Sequence, residues 1–341
     1  MKAGLKGKVA LGISGGVDSA ISCNLLKASG YEVCGFFCIM SESHLGDVSK
    51  VRKAADELSI SIDIADVRND FKNSVIIPFA ESYSKGITPN PCVVCNEKVK
   101  FKSLLEYSEQ ISADYIATGH YARVIKNNGC FIGTAKDPDK DQSYVLYRLP
   151  QRVLSRLILP LGEHLKSDVV KMAELSNLSS ASDPESQDIC FIDGNNHAEF
   201  INGIGYFGVR GNFVDNDGRI LGKHKGIEHY TVGQRRGLGV SSDKRLYVRK
   251  ISGSDVVLSE IEDLPVSELK LTDTIINPFH KFSENNNYRA KTRYSKNFYR
   301  CRPKLNDGSI TVYFDNKPVA APGQSAVIYW GDVVVAGGII K

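Results

Sequence analysis

No apolar run in this chain is long enough to cross a membrane, and it holds no internal repeat or low-complexity tract. A helical membrane protein, a repeat solenoid and a composition-biased disordered chain are thereby excluded. The opening stretch MKAGLKGKVALGIS is interrupted by glycine and followed at once by a motif, so it reads as a strand rather than an export signal. The eight cysteines lack the dense, regular spacing of a secreted scaffold. They are expected to sit reduced in a cytoplasmic protein, where any special pair among them serves metal binding or catalysis. Charge of one sign is also scarce: a net +4 over 341 residues argues weakly for nucleic acid, and only local clustering can make that case. The hydrophobic fraction of 42% is ordinary for a globular chain, and the length exceeds what one core usually serves, so two or three domains are expected.

From Lys8 to His120 short apolar runs alternate with helical patterns, as in a parallel sheet covered on both faces. Strands are expected in VALGI, YEVCGFFCI, ISIDIADV and DYIATG. The first helix starts at Val17, places Val17, Ile21, Leu25 and Ala28 on one face and stops at Gly30. Further helices cover DVSKVRKAADEL, VKFKSLLEYSEQ and SDVVKMAELS. Beyond residue 196 come glycine-rich, basic turns such as GVRGNF, DNDGRI and YTVGQRRGLG; from about 263, short alternating strands such as SITVYF and SAVIYW are separated by NDG and APGQ. The expected fold is α/β: a doubly wound parallel-sheet catalytic domain over 1–195, a small central linker domain over 196–262 and a C-terminal β-barrel over 263–341.

Directly at the end of the first strand stand Gly12, Ile13, Ser14, Gly15, Gly16, Val17, Asp18 and Ser19, with a helix beginning inside the string. Glycines let backbone N–H groups approach an anion, the helix dipole favours negative charge, and two hydroxyls add donors. Asp18 can hold a magnesium ion against phosphates. A plain glycine-rich turn would need neither the hydroxyls nor the carboxylate. No lysine follows, which separates the loop from the GxxxxGK[ST] type that cuts a terminal phosphate. It resembles the SGGxDS loop of the ATP pyrophosphatase superfamily, whose members adenylate a carbonyl oxygen and release pyrophosphate. Gly12 and Gly119, each at a strand end, would border the nucleotide in the crevice beyond the strand carboxyl ends.

Two cysteine segments lie in loop-like context, TPNPCVVCN over 88–96 and PESQDICF over 184–191. Prolines hold the first off helical geometry until Cys92, and a thiol near the helix start that follows has a lowered pKa, which makes Cys95 or Cys92 a thiolate candidate. Cys23, Cys34 and Cys38 fall inside apolar elements and read as small buried hydrophobes, as do Cys130 and Cys301. With SGGVDS, TPNPCVVCNEKVKF, ATGHYAR, KDQSYVLY, ESQDICF, YTVGQRRGLG and APGQ in that order, the sequence resembles the bacterial tRNA-specific 2-thiouridylases over nearly its whole length.

That resemblance implies a three-domain enzyme that binds ATP and Mg2+, adenylates O2 of the wobble uridine and replaces the oxygen with sulfur. It implies tRNAs for lysine, glutamate and glutamine as substrates, and a cysteine desulfurase or relay protein as sulfur donor. The family's catalytic pair falls on Cys95 and Cys190: Cys190 carries the persulfide, and Cys95 forms a transient disulfide with it. Cys38 falls at the adenine pocket. The family holds aspartate or cysteine at the position of Cys92. Ile87 stands where an arginine commonly precedes the TPNP loop, and CIMSESHLG lacks a tryptophan often seen there. The chemistry explains the parts. The uridine carbonyl oxygen is a poor leaving group, so adenylation must come first, and a persulfide delivers sulfur without free sulfide. An alternative has Cys92, Cys95 and Cys190 ligating an iron–sulfur cluster; the persulfide is preferred.

A base reacts only after leaving its stack, so Asn90, Pro91 and Cys92 are expected to form the receiving pocket. The tRNA contacts that the resemblance implies are His120, Lys140, Asp141, Gln142, Arg293, Tyr294 and Gln324, although His120 by its own context reads equally as a core histidine. Over 288–304, YRAKTRYSKNFYRCRPK carries Arg289, Lys291, Arg293, Lys296, Arg300, Arg302 and Lys304 with aromatics interleaved and no acid. Such a stretch suits structured RNA better than a merely solvated strand pair. Arg235 and Arg236 add a second basic patch. Two competing readings fail on parts left idle: an amide-forming ligase has no use for the cysteines, and a tRNA- or zinc-binding protein has none for SGGVDS.

Overall fold

The computed structural model describes residues 5–176, 178–182, 189–192, 194 and 196–341, so the ESQD part of the second cysteine segment lies outside the described residues and Cys190 lies inside them. β1 (Lys8–Gly12) leads through the SGGVDS turn into α1 (Val17–Ala28), and β2 (Glu32–Ile39), α2 (Ser43–Glu57) and β3 (Ile62–Asp66) continue the alternation. Next, α3 (Arg68–Phe71) and α4 (Ile77–Ser84) are joined by a π turn; α5 (Pro91–Cys95) passes through a second π turn, Asn96–Lys100, into α6 (Phe101–Gln110). β4 (Tyr115–Ala117), the hairpin β5 (Arg123–Lys126) and β6 (Cys130–Gly133), then α7 (Gln151–Leu154), β7 (Leu157–Ile158) and α8 (Lys166–Leu175) complete this part. The five parallel strands lie in the order β3-β2-β1-β4-β7, which reverses direction between β1 and β4 and opens a crevice beyond their carboxyl ends. Val9, Ala10 and Leu11 have no exposure, as a strand covered on both faces requires. One detail of the first helix differs from expectation. Its inward stripe runs through Ala20, Cys23 and Leu26, while Ala28 is exposed, because the helix is flanked by both the sheet and α8.

A short helix, α9 (His197–Gly203), precedes a small sheet of β8 (Asn212–Val214), β9 (Ile220–Lys223), β10 (Tyr247–Ser252) and β11 (Asp255–Ser259), ordered β10-β11-β8-β9. The barrel follows: β12 (Glu268–Ile276), β13 (Tyr288–Lys291), β14 (Tyr299–Asn306), β15 (Ser309–Phe314), β16 (Ser325–Trp330) and β17 (Val333–Ile340). Its order is β12-β15-β14-β13-β16-β17, and β12 pairs with β17 to close it.

The barrel is not a separate bead. The β5–β6 hairpin reaches across from the first part and pairs with β17 through Val333 and Gly133. One apolar core runs from Ala10 and Ile116 to Val327, Tyr329 and Val334 of the barrel. Gly337 permits the approach: a Cβ there would stand 2.6 Å from the Tyr147 ring. A buried ion pair ties the same parts, Lys291 Nζ lying 2.7 Å from Asp141 Oδ2 with side-chain exposures of 2% and 3%. Among the described residues no helix is long and apolar enough to cross a membrane.

Candidate active site

The turn after β1 is built by its own hydroxyls. Ser14 N–H donates to Ser19 Oγ at 3.3 Å, and the Ser19 hydroxyl donates to the Gly16 carbonyl at 2.9 Å. Gly15 adopts φ +76°, a left-handed conformation that glycine reaches without strain. Asp18 projects from the first turn of α1 and is held by two groups that sequence reasoning missed. Lys166 Nζ lies 2.7 and 2.8 Å from its carboxylate oxygens, and the Tyr121 hydroxyl donates to Oδ1 at 2.8 Å. Gly119, at the end of β4, packs against the Asp18 backbone, where a Cβ would come within 3.1 Å. Gly12 likewise faces Thr118 across the β1–β4 switch point. The loop residues and both bordering glycines therefore meet in one crevice, as the strand order demands.

The thiols stand beside it. Cys95 is buried, its Sγ 3.7 Å from Met40 Sδ, whereas Cys92 and Cys190 belong to exposed residues. The expected lowering of a thiol pKa at the helix start is overturned. Burial pushes Cys95 up to about 12 and Cys38 to about 11, and burial raises Cys92 and Cys190 as well, because desolvation of the anion outweighs any favourable dipole. The one cation drawing all four down is Lys100, from the π turn after α5. Cys38, expected at the adenine pocket, thus stands with the other thiols around Lys100. His120 completes the wall: its ring lies 5.7 Å from that of Phe101, its Nδ1 is 2.8 Å from the Thr118 hydroxyl, and burial with Lys100 nearby holds its pKa down to about 3, so it is neutral. Among the described residues no group of three or more His, Cys, Asp or Glu side chains gathers closely enough to hold a metal ion, Cys92, Cys95 and Cys190 included.

The TPNP loop is braced by every part of the molecule. Gln324 Nε2 donates to the Thr88 and Pro89 carbonyls at 3.1 Å each, Thr88 N–H donates to the Pro322 carbonyl, and the Thr88 hydroxyl meets that of Thr231 at 3.1 Å. This gives the APGQ and YTVGQ motifs a structural task, and it turns the Gln324 amide inward onto the loop. Asn90 caps α5, its Oδ1 accepting from Val93 N–H, and also bonds Tyr144; Pro91 is buried, so Cys92 alone of the expected pocket trio is exposed. Tyr144 in turn stands 6.3 Å from the ring of Tyr294, which is 53% exposed and offers a stacking face.

The remaining RNA candidates divide. Arg293 is exposed and makes no ion pair among the described residues, like Lys304. Asp141 is buried and accepts from Lys291, Ser143 and the Ala135 N–H, so its carboxylate braces the segment from within. Gln142 accepts from Tyr121 N–H at 2.8 Å, and Lys140, just before Asp141, is half-buried. The basic stretch, free of acids in sequence, meets acids in space: Lys296 pairs with Asp139, Arg300 and Arg302 approach Asp315, and Arg289 pairs with Asp332. Arg235 and Arg236 are exposed on their turn.

Fold and site together define a class, a nucleotide-loop α/β domain with a cysteine centre, fused to a β-barrel. Three family models match in succession: the tRNA methyl transferase HUP domain over residues 7–194, the tRNA methyl transferase PRC-barrel domain over 198–258 and the aminomethyltransferase beta-barrel domain over 265–340. The tRNA-specific 2-thiouridylase MnmA 2 of Clostridium botulinum is 39% identical over 98% of this chain and 99% of its own length. The tRNA-specific 2-thiouridylase MnmA of Caldicellulosiruptor saccharolyticus is 39% identical over 99% of each. A solved 4-thiouridine synthetase–RNA complex with bound ATP aligns at TM-score 0.35 and 19% identity, over 54% of this chain and 44% of that one, too distant to carry an argument. The chain belongs to the tRNA-specific 2-thiouridylase family.

Proposed function

We propose that this chain is a tRNA-uridine 2-sulfurtransferase of three domains, with boundaries near residues 195 and 262. The observation that carries the reading is the short link between the two centres: Gly119 packs on the Asp18 backbone of the SGGVDS loop, and the next residue, His120, lies within the field of Lys100, which also acts on Cys95 and Cys190. Methyl transfer, the activity in two of the family descriptions, has no use for thiols gathered around one ammonium.

ATP lies with its phosphates on the Ser14–Ser19 turn, and Lys166 neutralises charge there. Asp18 would be the residue to hold a Mg2+ ion, which would supply Lewis-acid polarisation of the reacting phosphate. Uridine O2 attacks the α-phosphorus and pyrophosphate leaves. The terminal sulfur of a persulfide on Cys190 then attacks C2, and AMP leaves with the oxygen. Cys95 attacks Cys190 Sγ, which frees 2-thiouridine and leaves a Cys95–Cys190 disulfide for an external dithiol to reduce. A desulfurase or relay protein reloads Cys190. Asn90, Pro91 and Cys92 shape the base pocket, and Arg293, Tyr294 and Lys140 touch the tRNA, those for lysine, glutamate and glutamine being the expected substrates.

The test is mass spectrometry of tRNA nucleosides after incubation with ATP, magnesium and a sulfur donor. The wild-type chain is expected to yield 2-thiouridine, Cys95→Ser and Cys190→Ser none, and Asp18→Ala neither product nor pyrophosphate exchange while tRNA affinity persists. Full thiolation by Asp18→Ala would sink the ATP-site assignment.

A further inference from the structure

On an ordinary α-helix a residue five positions along is turned about 140° away, so Lys100 would face away from Cys95. The π turn Asn96–Lys100 changes this. Its i→i+5 bonds, among them Phe101 N–H to the Asn96 carbonyl, admit one extra residue per turn and carry the fifth position back toward the face of the first. The Lys100 ammonium thereby comes within electrostatic reach of Cys38 on β2, Cys92 and Cys95 on α5, and Cys190, with His44 of α2 and His120 after β4 completing its surroundings. Among the described residues no carboxylate pairs with it, and its neighbours are thiols and imidazoles whose own shifts keep them neutral. Three other partly buried cations, Lys166, Lys291 and Arg148, each have a carboxylate against them. A half-buried charge left without a counter-ion is costly unless the site's work brings an anion to it.

We propose that Lys100 is the counter-charge of the sulfur site, a positioning residue whose ammonium holds whichever sulfur anion occupies the crevice. When one of these thiols gives its proton to solvent, that anion is the Cys95 or Cys190 thiolate. During turnover it is the terminal sulfur of the Cys190 persulfide, and this second part rests on the sulfur-transfer reading above. The π turn is then the device that delivers the charge, since an α-helical register would place it elsewhere.

The experiment is alkylation of the full-length chain by iodoacetamide at about pH 8, without ATP, tRNA or sulfur donor, followed at each cysteine by peptide mass mapping. Only the thiolate reacts, so below its pKa the rate measures the thiolate fraction. Lys100→Met and Lys100→Gln are expected to slow alkylation of the exposed Cys190 about tenfold or more, and Lys100→Arg to keep the wild-type rate. Unchanged rates in the two neutral variants would overturn the proposal. Buried Cys23 and Cys301 report unfolding by becoming reactive. If the neutral variants unfold, Lys100→Arg decides: a folded Arg chain slowed as much as tenfold also overturns it. Failure of the sulfur-transfer reading shows separately, as absence of 2-thiouridine from the wild-type assay, and leaves this comparison standing.

Discussion

His120 shows how one side chain at the crevice sets a stability profile. Burial and the Lys100 ammonium hold its pKa down to about 3, against 6.5 in an open chain. Between those values the unfolded chain binds a proton that the folded chain refuses. The stability linked to His120 is thus fully present above pH 6.5 and is lost as pH falls toward 3. His120→Gln is expected to flatten the acid limb of stability against pH by about 1.4 kcal/mol per unit within that window, read from urea unfolding at several pH values. An unaltered slope would mean that the imidazole is protonated in the fold. Its neutrality also limits its chemistry: it can accept a proton or orient a neighbour, but it does not supply positive charge to RNA.

At the scale of elements, the TPNP loop is shaped by contacts far away in sequence. Removing the Gln324 amide leaves the Thr88 and Pro89 carbonyls without their donor, so Gln324→Ala is expected to raise hydrogen exchange around residues 88–93 and to cut kcat/KM for tRNA roughly tenfold. Wild-type exchange in that variant would deny the brace. The same contrast explains what could be read beforehand. The phosphate turn, α1 and the strands β1 to β4 are local patterns, so glycines, hydroxyls and apolar runs announced them. Lys166 meets Asp18 across a separation of 148 residues, and no local pattern encodes that. β7 is two residues long, too short for any periodicity. The π turn that rotates Lys100 toward Cys95 leaves a helical pattern almost unchanged while altering which face each residue takes. Burial of the Cys95 thiol was invisible for the same reason, and so the direction of its pKa shift was misjudged.

Across the whole molecule, a continuous path of contacts joins the phosphate turn to the barrel. Asp18 accepts from the Tyr121 hydroxyl, Tyr121 N–H donates to Gln142, and Asp141 next to it holds Lys291, two residues before Arg293. Lys291→Met would strand a buried carboxylate, at a cost of about 3–5 kcal/mol by thermal or urea unfolding, whereas the double variant Lys291→Met/Asp141→Leu should recover most of it. A loss in the double variant equal to the sum of the Lys291→Met and Asp141→Leu losses would show that the pair contributes no net coupling. The sheet tells the same story at larger size, since β5 and β6 extend the barrel from outside while belonging to the part of the chain that forms the crevice. Modularity therefore has a limit here. A barrel cut out at residue 263 would lose the strand that covers Val333 and the carboxylate that answers Lys291, and it would not serve as a portable RNA-binding cassette. Any graft onto another catalytic domain must carry residues 123–142 with it, so exchange between relatives is confined to pieces that cross the boundary rather than follow it.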